Sequence, residues 1–166
     1  MIRLLATRSA DGRFKNIHSL GLGSYIGRTR ELLCGTREHA TVISPWIDQD
    51  GIRFLLECWE DRLSEDVRWD VFVRQIDAPL LRAARGKEWG LHQYQRVQGE
   101  GAVAYGMHAK LVIADNEAAA IGSMNLLKAS LYSNLEIGID LRELTLVRQL
   151  SRVAYWLEGV STEPKA

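Results

Sequence analysis

Residues 105–125, with the sequence YGMHAKLVIADNEAAAIGSMN, carry side chains suited to binding and attacking a phosphate. His108 and Lys110 are two residues apart. An imidazole with a pKa near ~6.5 can act as a nucleophile or a proton carrier at neutral pH. An ammonium group beside it can neutralise a phosphoryl oxygen, which at roughly 4 Å and an effective dielectric of ~20 is worth about 4 kcal/mol before desolvation. Ser123 and Asn125 follow Gly122, and their hydroxyl and amide groups can donate to the remaining oxygens.

The residue types around this segment do not favour a metal site. No acidic cluster or His/Cys spacing typical of metal ligands accompanies it, so side chains are expected to handle the phosphate's charge. Cys34 and Cys58 have no CxxC spacing, which favours reduced thiols over a disulfide framework. We therefore expect no cofactor and no metal.

The segment needs a framework of strands and helices to position it. MHAKLVIAD is predicted to be a strand, in which His108 and Lys110 project from one face while Met107, Ala109 and Leu111 face the opposite layer. Further strands are predicted in ATVISPWID, ending at Pro45, and in VRWDVFVRQ, AAAIGS, LEIGIDL and, more weakly, QYQRVQ.

Helices are predicted between these strands. They are a helix capped by Ser24, a helix in QDGIRFLLECWEDRLS, a short helix in APLLRAARGKEW that ends near Gly86, and a final helix in ELTLVRQLSRVAYWLEGV. The final helix is expected to bury one face, formed by Leu144, Val147, Leu150, Val153, Ala154 and Leu157. Alternating strands and helices predict a single α/β domain over residues 1–166, with 1–20 as an N-terminal arm or edge element and 161–166 as a polar tail.

Composition excludes several functional classes. The 21 basic and 21 acidic residues give a formal net charge of zero, which argues against a purely electrostatic grip on nucleic acid or anionic membrane but allows a local basic patch. No apolar run approaches the length of a membrane span, and the apolar start is too short for a secretory signal. A cytoplasmic location is the expectation.

The spacing His108-x-Lys110-x4-Asp115-x6-Gly122-Ser123-x-Asn125 resembles the HKD signature of the phospholipase D superfamily, with every position filled. Downstream, Asn134 and Glu136 match an N-x-E strand that is similar to one in the same family. The resemblance implies a mixed sheet flanked by helices. It covers about residues 25–160 by pattern and 105–140 by motif.

The resemblance also implies a role for each residue. His108 would attack phosphorus to form a phosphohistidine, Lys110 and Asn125 would bind the non-bridging oxygens with support from Ser123, and Glu136 would hold a His ring in the required tautomer. Asp115 belongs to the motif, but it lies in the turn ADNE, where Asp is favoured for capping the backbone, so a structural role is expected for it.

The implied mechanism needs a second histidine to protonate the leaving oxygen, whereas the sequence contains one HKD motif. His18, His39 and His92 have no Lys two residues on and are expected at the surface or in packing. We therefore predict a homodimer whose twofold axis brings two motifs together in one composite active site.

The substrate is expected to be nucleic acid. Residues 74–96 mix basic and aromatic residues, and of these Arg74, Arg96 and Tyr94 are candidate substrate-binding residues. A solvated helix face with its aromatic residues partly in the core explains the same pattern, so both interpretations stay open. Trp46 is likewise compatible with the rim of a site or with the core.

We expect a metal-independent nuclease or phosphodiesterase, with protein partners in a bacterial DNA modification, repair or phage-defence system. One alternative is a phospholipid-directed hydrolase or transferase. The other is a catalytically silent binding subunit of a larger nucleic-acid-processing complex.

Overall fold

The computed structural model describes residues 1–7, 21–93, 97–98, 104–105 and 108–160. The strands in chain order are β1 (Ile2–Ala6), β2 (Gly23–Ser24), β3 (His39–Ile43), β4 (Arg68–Val73), β5 (Trp89–Gln93), β6 (Val97–Gln98), β7 (Ala104–Tyr105), β8 (Leu111–Ala114), β9 (Ala118–Gly122) and β10 (Ile137–Leu141). The helices are α1 (Tyr25–Gly35), α2 (Gln49–Glu60), α3 (Ala78–Ala84), α4 (Lys128–Tyr132) and α5 (Leu144–Val160).

Eight of the strands form one mixed sheet in the order β2-β1-β10-β9-β8-β3-β4-β5. β1, β10, β9, β8 and β3 pair antiparallel in turn, whereas β3, β4 and β5 are parallel to one another. β6 and β7 pair separately as a short antiparallel ladder. The prediction of a mixed sheet flanked by helices is confirmed.

Side-chain alternation along the strands creates a core on each face of the sheet. On β4, Val71 and Val73 join the core that contains residues of α1 to α4, while Phe72 between them joins the core under α5. This is the two-residue period of an extended chain with both faces covered. The larger core includes a cluster of Trp59, Trp69 and Trp89, in which the last two rings stack with centroids 5.5 Å apart.

Local capping fixes where the helices begin. The Ser24 hydroxyl accepts a hydrogen bond from Gly27 N at 3.0 Å, so this predicted N-cap is confirmed. Asp48 caps α2 by accepting from Gly51 N at 3.0 Å, and its second oxygen accepts from Lys128 N at 2.8 Å at the start of α4. One carboxylate therefore joins the starts of α2 and α4.

Two predicted details differ from the structure. β8 begins at Leu111, so His108 and Lys110 lie in the irregular segment before the strand and not within it. α5 buries Val147, Ser151 and Ala154, whereas Leu144 and Val153, predicted to face the core, are exposed. The buried face includes a serine because Ser151 donates to Val147 O at 3.0 Å, which satisfies its hydroxyl within the helix.

A buried carboxylate joins three of the sheet's side chains on the α5 face. Asp70 accepts from His39 Nε2 at 2.6 Å, from His92 Nε2 at 2.7 Å and from Arg68 at 2.9 Å. Burial raises the pKa of Asp70, but the hydrogen bonds from His39, His92 and Arg68 outweigh it and hold the pKa well below its usual range. His39 and His92 are therefore packing residues of this network, as predicted for residues outside the motif.

We predict that Asp70→Asn lowers the free energy of unfolding by about 3 kcal/mol at pH 7, because it removes the acceptor charge that His39, Arg68 and His92 share. The pKa of Asp70 is depressed in the folded protein, so its contribution is present above the ordinary Asp value of about 4 and declines as the pH falls below it. Urea unfolding at pH 7 and pH 3 measures both effects. Asp66→Asn, at an exposed position, is the control, and equal losses from the two variants would contradict the assignment.

Candidate active site

The residues of the HKD motif converge at one edge of the sheet. β8 starts at this edge, β9 ends there and β10 starts there, because Leu111 pairs with Ile121 and Gly138 pairs with Gly122. β3, β4 and β5 also point their carboxyl ends to this edge, since Ile43 pairs with Leu111 and with Phe72. The carboxyl ends of parallel strands in an open α/β sheet are the usual place for a ligand.

His108 and Lys110 form a contacting pair at this edge. Lys110 Nζ lies 2.9 Å from His108 Nδ1 and donates to the His108 carbonyl oxygen at 2.8 Å. His108 is exposed, whereas only 6% of Lys110 is accessible. Within the described residues the second imidazole nitrogen, Nε2, has no hydrogen-bond partner, so it is available to a substrate.

The Lys110 ammonium is buried without a paired anion. No carboxylate of the described residues lies within ion-pair distance of it. Burial lowers the pKa of Lys110, and the charge of Glu136 opposes that shift. A buried cation of this kind is stabilised when an anion such as a phosphate binds beside it.

Ser123 and Glu136 are joined by a short hydrogen bond from the Ser123 hydroxyl to Glu136 Oε2. Ser123 Oγ also accepts from Ile137 N at 3.2 Å, which fixes the hydroxyl between β9 and β10. Thr7 Oγ1 accepts from Glu136 N at 2.8 Å and donates to Asn134 O at 2.7 Å. The other carboxylate oxygen, Oε1, has only a 3.5 Å contact with Asn134 Nδ2.

Within one chain Glu136 therefore bonds Ser123 and not His108. Its Oε1 retains room to accept a stronger hydrogen bond, as from an imidazole N–H.

Tyr25 packs beneath this part of the site, and no local sequence pattern predicts that role. A side chain at Gly138 would place its Cβ 2.6 Å from the Tyr25 ring, and one at Gly122 would come within 2.8 Å of the Tyr25 hydroxyl. The two glycines thus leave space for the ring beneath β9 and β10. Burial first, and the Glu136 charge second, raise the pKa of Tyr25 far above its usual range, so the hydroxyl stays protonated.

Asn125 lies at the same edge with one polar atom unsatisfied. Its Oδ1 is buried and has no hydrogen-bond partner among the described residues. Buried side-chain oxygens in native proteins nearly always have a donor. This atom therefore marks a position that a bound group, a water or another subunit completes.

Asp115 is the motif residue that the fold places elsewhere. It follows the last residue of β8, and at about 3.3 Å per residue it lies roughly 16 Å along the chain from Lys110. Its carboxylate accepts from the backbone nitrogens of Arg37 at 2.9 Å, Glu38 at 2.9 Å and His39 at 3.0 Å. Asp115 thus joins the β8–β9 turn to the start of β3 and lies away from the His108–Lys110 pair.

The predicted substrate-binding residues have different positions. Arg74 follows β4 at the active-site edge, with its guanidinium carbon 4.7 Å from the centroid of the Trp46 ring. Tyr94 and Arg96 lie outside the described residues. Trp89 and His92, which also belonged to the basic and aromatic segment, are buried, so the packing interpretation holds for these two.

Across the described part of the chain, no group of three or more His, Cys, Asp or Glu residues is arranged to hold a metal ion. Nor is any helix in that part long and apolar enough to cross a membrane.

Comparisons with known proteins agree with this geometry. Residues 50–156 match the protein family described as "Cardiolipin synthase, PLD-like domain". No curated protein is significantly similar to the sequence.

Among solved structures, NucT from Helicobacter pylori is 9% identical with a TM-score of 0.73, and the match covers 99% of this chain and 100% of that one. Nuc from Salmonella typhimurium, a phospholipase D family member, is 11% identical with a TM-score of 0.61 and coverage of 100% and 99%. Phosphatidylserine synthase from Haemophilus influenzae is 12% identical with a TM-score of 0.61, but this chain covers only 40% of it.

The structural matches show the fold, and the family match extends over residues 50–156, which include the whole His108–Asn125 motif. On these grounds the chain belongs to the phospholipase D superfamily.

Proposed function

We propose that the protein is a metal-independent phosphodiesterase that cleaves nucleic-acid phosphodiesters through a phosphohistidine on His108, in a site shared by two copies of the chain. The observation that carries the proposal is the His108–Lys110 pair. It combines an exposed imidazole with a buried ammonium 2.9 Å away that has no paired carboxylate in the part of the chain that the structure describes. A phosphodiester supplies both the electrophile for the first group and the charge for the second.

The reaction proceeds in two displacements. His108 Nε2 attacks phosphorus, the P–N bond forms and the P–O bond to the leaving group breaks, while His108 of the partner subunit donates a proton to the leaving oxygen. A water then attacks the phosphohistidine and gives its proton to that second imidazole, which restores both histidines.

Attack from Nε2 requires the neutral tautomer with the proton on Nδ1. In the structure, Lys110 Nζ lies at hydrogen-bonding distance from His108 Nδ1. A protonated Lys110 can donate to Nδ1 but cannot accept a hydrogen bond from an Nδ1–H group. Substrate binding would draw the ammonium to the phosphoryl oxygens and free Nδ1 to donate to a carboxylate. Glu136 Oε1 of either subunit is a suitable acceptor, because its contact with Asn134 Nδ2 is long and weak at 3.5 Å.

An uncovered apolar surface supports the dimer. Ile2 and Leu4 of β1 share a face with Ile137 and Ile139 of β10, since Leu4 pairs with Ile139 and Ala6 with Ile137. All four side chains are exposed, Ile137 by 55%. None of them belongs to the core under α5, because α5 covers a neighbouring part of the sheet. We call these four residues the β1–β10 apolar face.

The β1–β10 apolar face adjoins the active-site edge, because Ile137 follows Glu136 directly. Contiguous exposed apolar residues beside a functional site commonly mark an association surface. A second copy packed there would lie next to the incomplete site, which fits the requirement for a second histidine.

We expect His108→Ala to reduce cleavage by at least about 10³-fold, because it removes the nucleophile while exposing no new surface. Wild type and variant are compared on plasmid, single-stranded DNA, RNA, bis(p-nitrophenyl) phosphate and phosphatidylglycerol vesicles, each with excess EDTA.

Added imidazole should restore part of the activity of His108→Ala, and its melting temperature should equal that of the wild type. Full turnover by this variant would contradict the catalytic assignment. Loss of wild-type activity on EDTA treatment would contradict metal independence, and cleavage of lipid alone would favour the phospholipid-directed alternative.

The shared site predicts interference between subunits. When an equal amount of His108→Ala protein is exchanged into wild-type dimers, about half of the wild-type activity should be lost, since random pairing halves the dimers that hold two intact histidines. Unchanged activity after complete exchange would show that each chain acts alone.

A second measurement tests the surface. The double variant Leu4→Glu, Ile139→Glu should sediment as a monomer and lose activity, because two carboxylates would be buried at the interface. Leu63→Glu is the matched control, since Leu63 is 84% exposed and lies outside the β1–β10 apolar face. A stable, active dimer of the double variant would place the interface elsewhere.

The family resemblance favours a protein that acts with partner proteins in a DNA modification, repair or phage-defence system. The gene neighbourhood tests it directly.

A further inference from the structure

An exposed tryptophan lies at the active-site edge outside the motif. Trp46 is 46% exposed, whereas Trp59, Trp69 and Trp89 are buried and pack against one another in the core. Trp46 is therefore not part of the aromatic core, and its exposure needs another explanation.

The loop that carries Trp46 is attached to the motif. Ser44 Oγ accepts a hydrogen bond from Leu126 N at 2.9 Å and donates to Trp46 O at 2.7 Å. Ile47 forms a bridge with Leu126, and Asp48 N donates to Leu126 O at 3.1 Å. Leu126 follows Asn125 in the sequence, so this loop lies directly beside the last residue of the motif.

The position of the loop is fixed by close packing. A Cβ at Gly51, in the first turn of α2, would lie 2.0 Å from Leu126 O, so only glycine allows this approach of helix and motif. Arg74 N donates to Pro45 O at 3.1 Å, which ties the loops after β3 and β4 together. The backbone that carries Trp46 is thus held in place by contacts within the chain.

Arg74 lies against one face of the Trp46 ring. Its guanidinium carbon is 4.7 Å from the ring centroid, and no carboxylate of the described residues pairs with it. As far as the described residues go, the guanidinium keeps its N–H donors for an anion, while its planar group supports the ring. An aromatic ring and such a guanidinium side by side match the two parts of a nucleotide, a base and a phosphate.

We propose that Trp46 and Arg74 form a binding platform for an unpaired nucleotide beside the scissile phosphate. Trp46 stacks on the base with its free face, and Arg74 binds the phosphate flanking that base. The inference rests on the proposed function, because it assumes that the site acts on nucleic acid. It narrows the substrate to single-stranded or locally unpaired strands, since bases within a duplex are already stacked on their neighbours.

Binding is measured without cleavage by placing every variant in the His108→Ala background. Fluorescence anisotropy with a labelled single-stranded oligonucleotide should show that adding Trp46→Ala to His108→Ala weakens binding about tenfold or more, and that adding Trp46→Phe retains most of the affinity. The same oligonucleotide with abasic residues should bind His108→Ala equally well with and without Trp46→Ala, because it offers no base to stack. Trp156→Ala is the matched control, since Trp156 is exposed on α5 away from this edge.

Arg74 is tested by the salt dependence of the same binding. Arg74→Ala should reduce the slope of log affinity against log salt by about 0.7, and Arg74→Lys should preserve it. An unchanged slope would overturn the role of Arg74.

The outcomes separate this inference from the proposed function. Trp46-dependent binding by a protein that cleaves nothing would support the platform and overturn the nuclease proposal. Normal cleavage of single strands with unchanged binding by Trp46→Ala would overturn the platform alone. Dissociation of the dimer by Trp46→Ala would make Trp46 an interface residue and also overturn the platform, and a wild-type protein that binds no nucleic acid would overturn both.

Discussion

The arrangement of the site depends on an ammonium group that is buried with no counter-ion among the described residues. Lys110 is held beside His108 by the first residues of β8 and by the carbonyl oxygen of His108 itself. A cation in this position costs free energy unless an anion shares its environment. The same edge of the sheet carries the exposed His108 imidazole, the Ser123 hydroxyl bonded to Glu136 and the Asn125 amide. The proposed function assigns the binding of a phosphate to Lys110 and the attack on it to His108.

Much of this could be predicted from the sequence because the motif is local. His108, Lys110, Ser123 and Asn125 lie within 18 residues, and the hairpin of β8 and β9 brings its two ends to one sheet edge whatever the rest of the chain does. The order of the longer strands and helices was also predictable, since those elements have a clear apolar period, whereas short elements such as β2, β7 and α4 have none. The alternation in β4 is the clearest case, because both of its faces are buried.

Other features depended on contacts between distant segments and could not be predicted. The space for Tyr25 is created by Gly122 and Gly138, more than ninety residues away from it, and no local pattern reveals such a packing. The role of Asp70 depends on the parallel pairing of β3, β4 and β5, which places His39 and His92 against its carboxylate. These residues are far apart in the sequence, so no local pattern predicts the network. The buried face of α5 differed from prediction because Ser151 satisfies its hydroxyl inside the helix and so can pack where an apolar residue was expected.

Under the proposed function, the site of one chain lacks a group that a second copy would supply. Among the described residues no second imidazole lies within hydrogen-bonding distance of His108, and Oε1 of Glu136 has only a long contact. The β1–β10 apolar face begins at the residue after Glu136, so the proposed interface adjoins the proposed active site. Trp46 and Arg74 extend the same edge on its other side, where the parallel strands β3 and β4 end. The proposed interface, the proposed catalytic pair and the proposed nucleotide platform are therefore neighbours along one edge of the sheet.

The proposed mechanism requires that phosphorus becomes bonded to His108. This bond can be detected by mass spectrometry of a single-turnover reaction with a short oligonucleotide, quenched in alkali to preserve phosphohistidine. We expect a phosphoryl-linked fragment on the peptide that contains His108, formed and lost at rates that match cleavage. Steady cleavage with no adduct on that peptide, or an adduct on another residue, would contradict it.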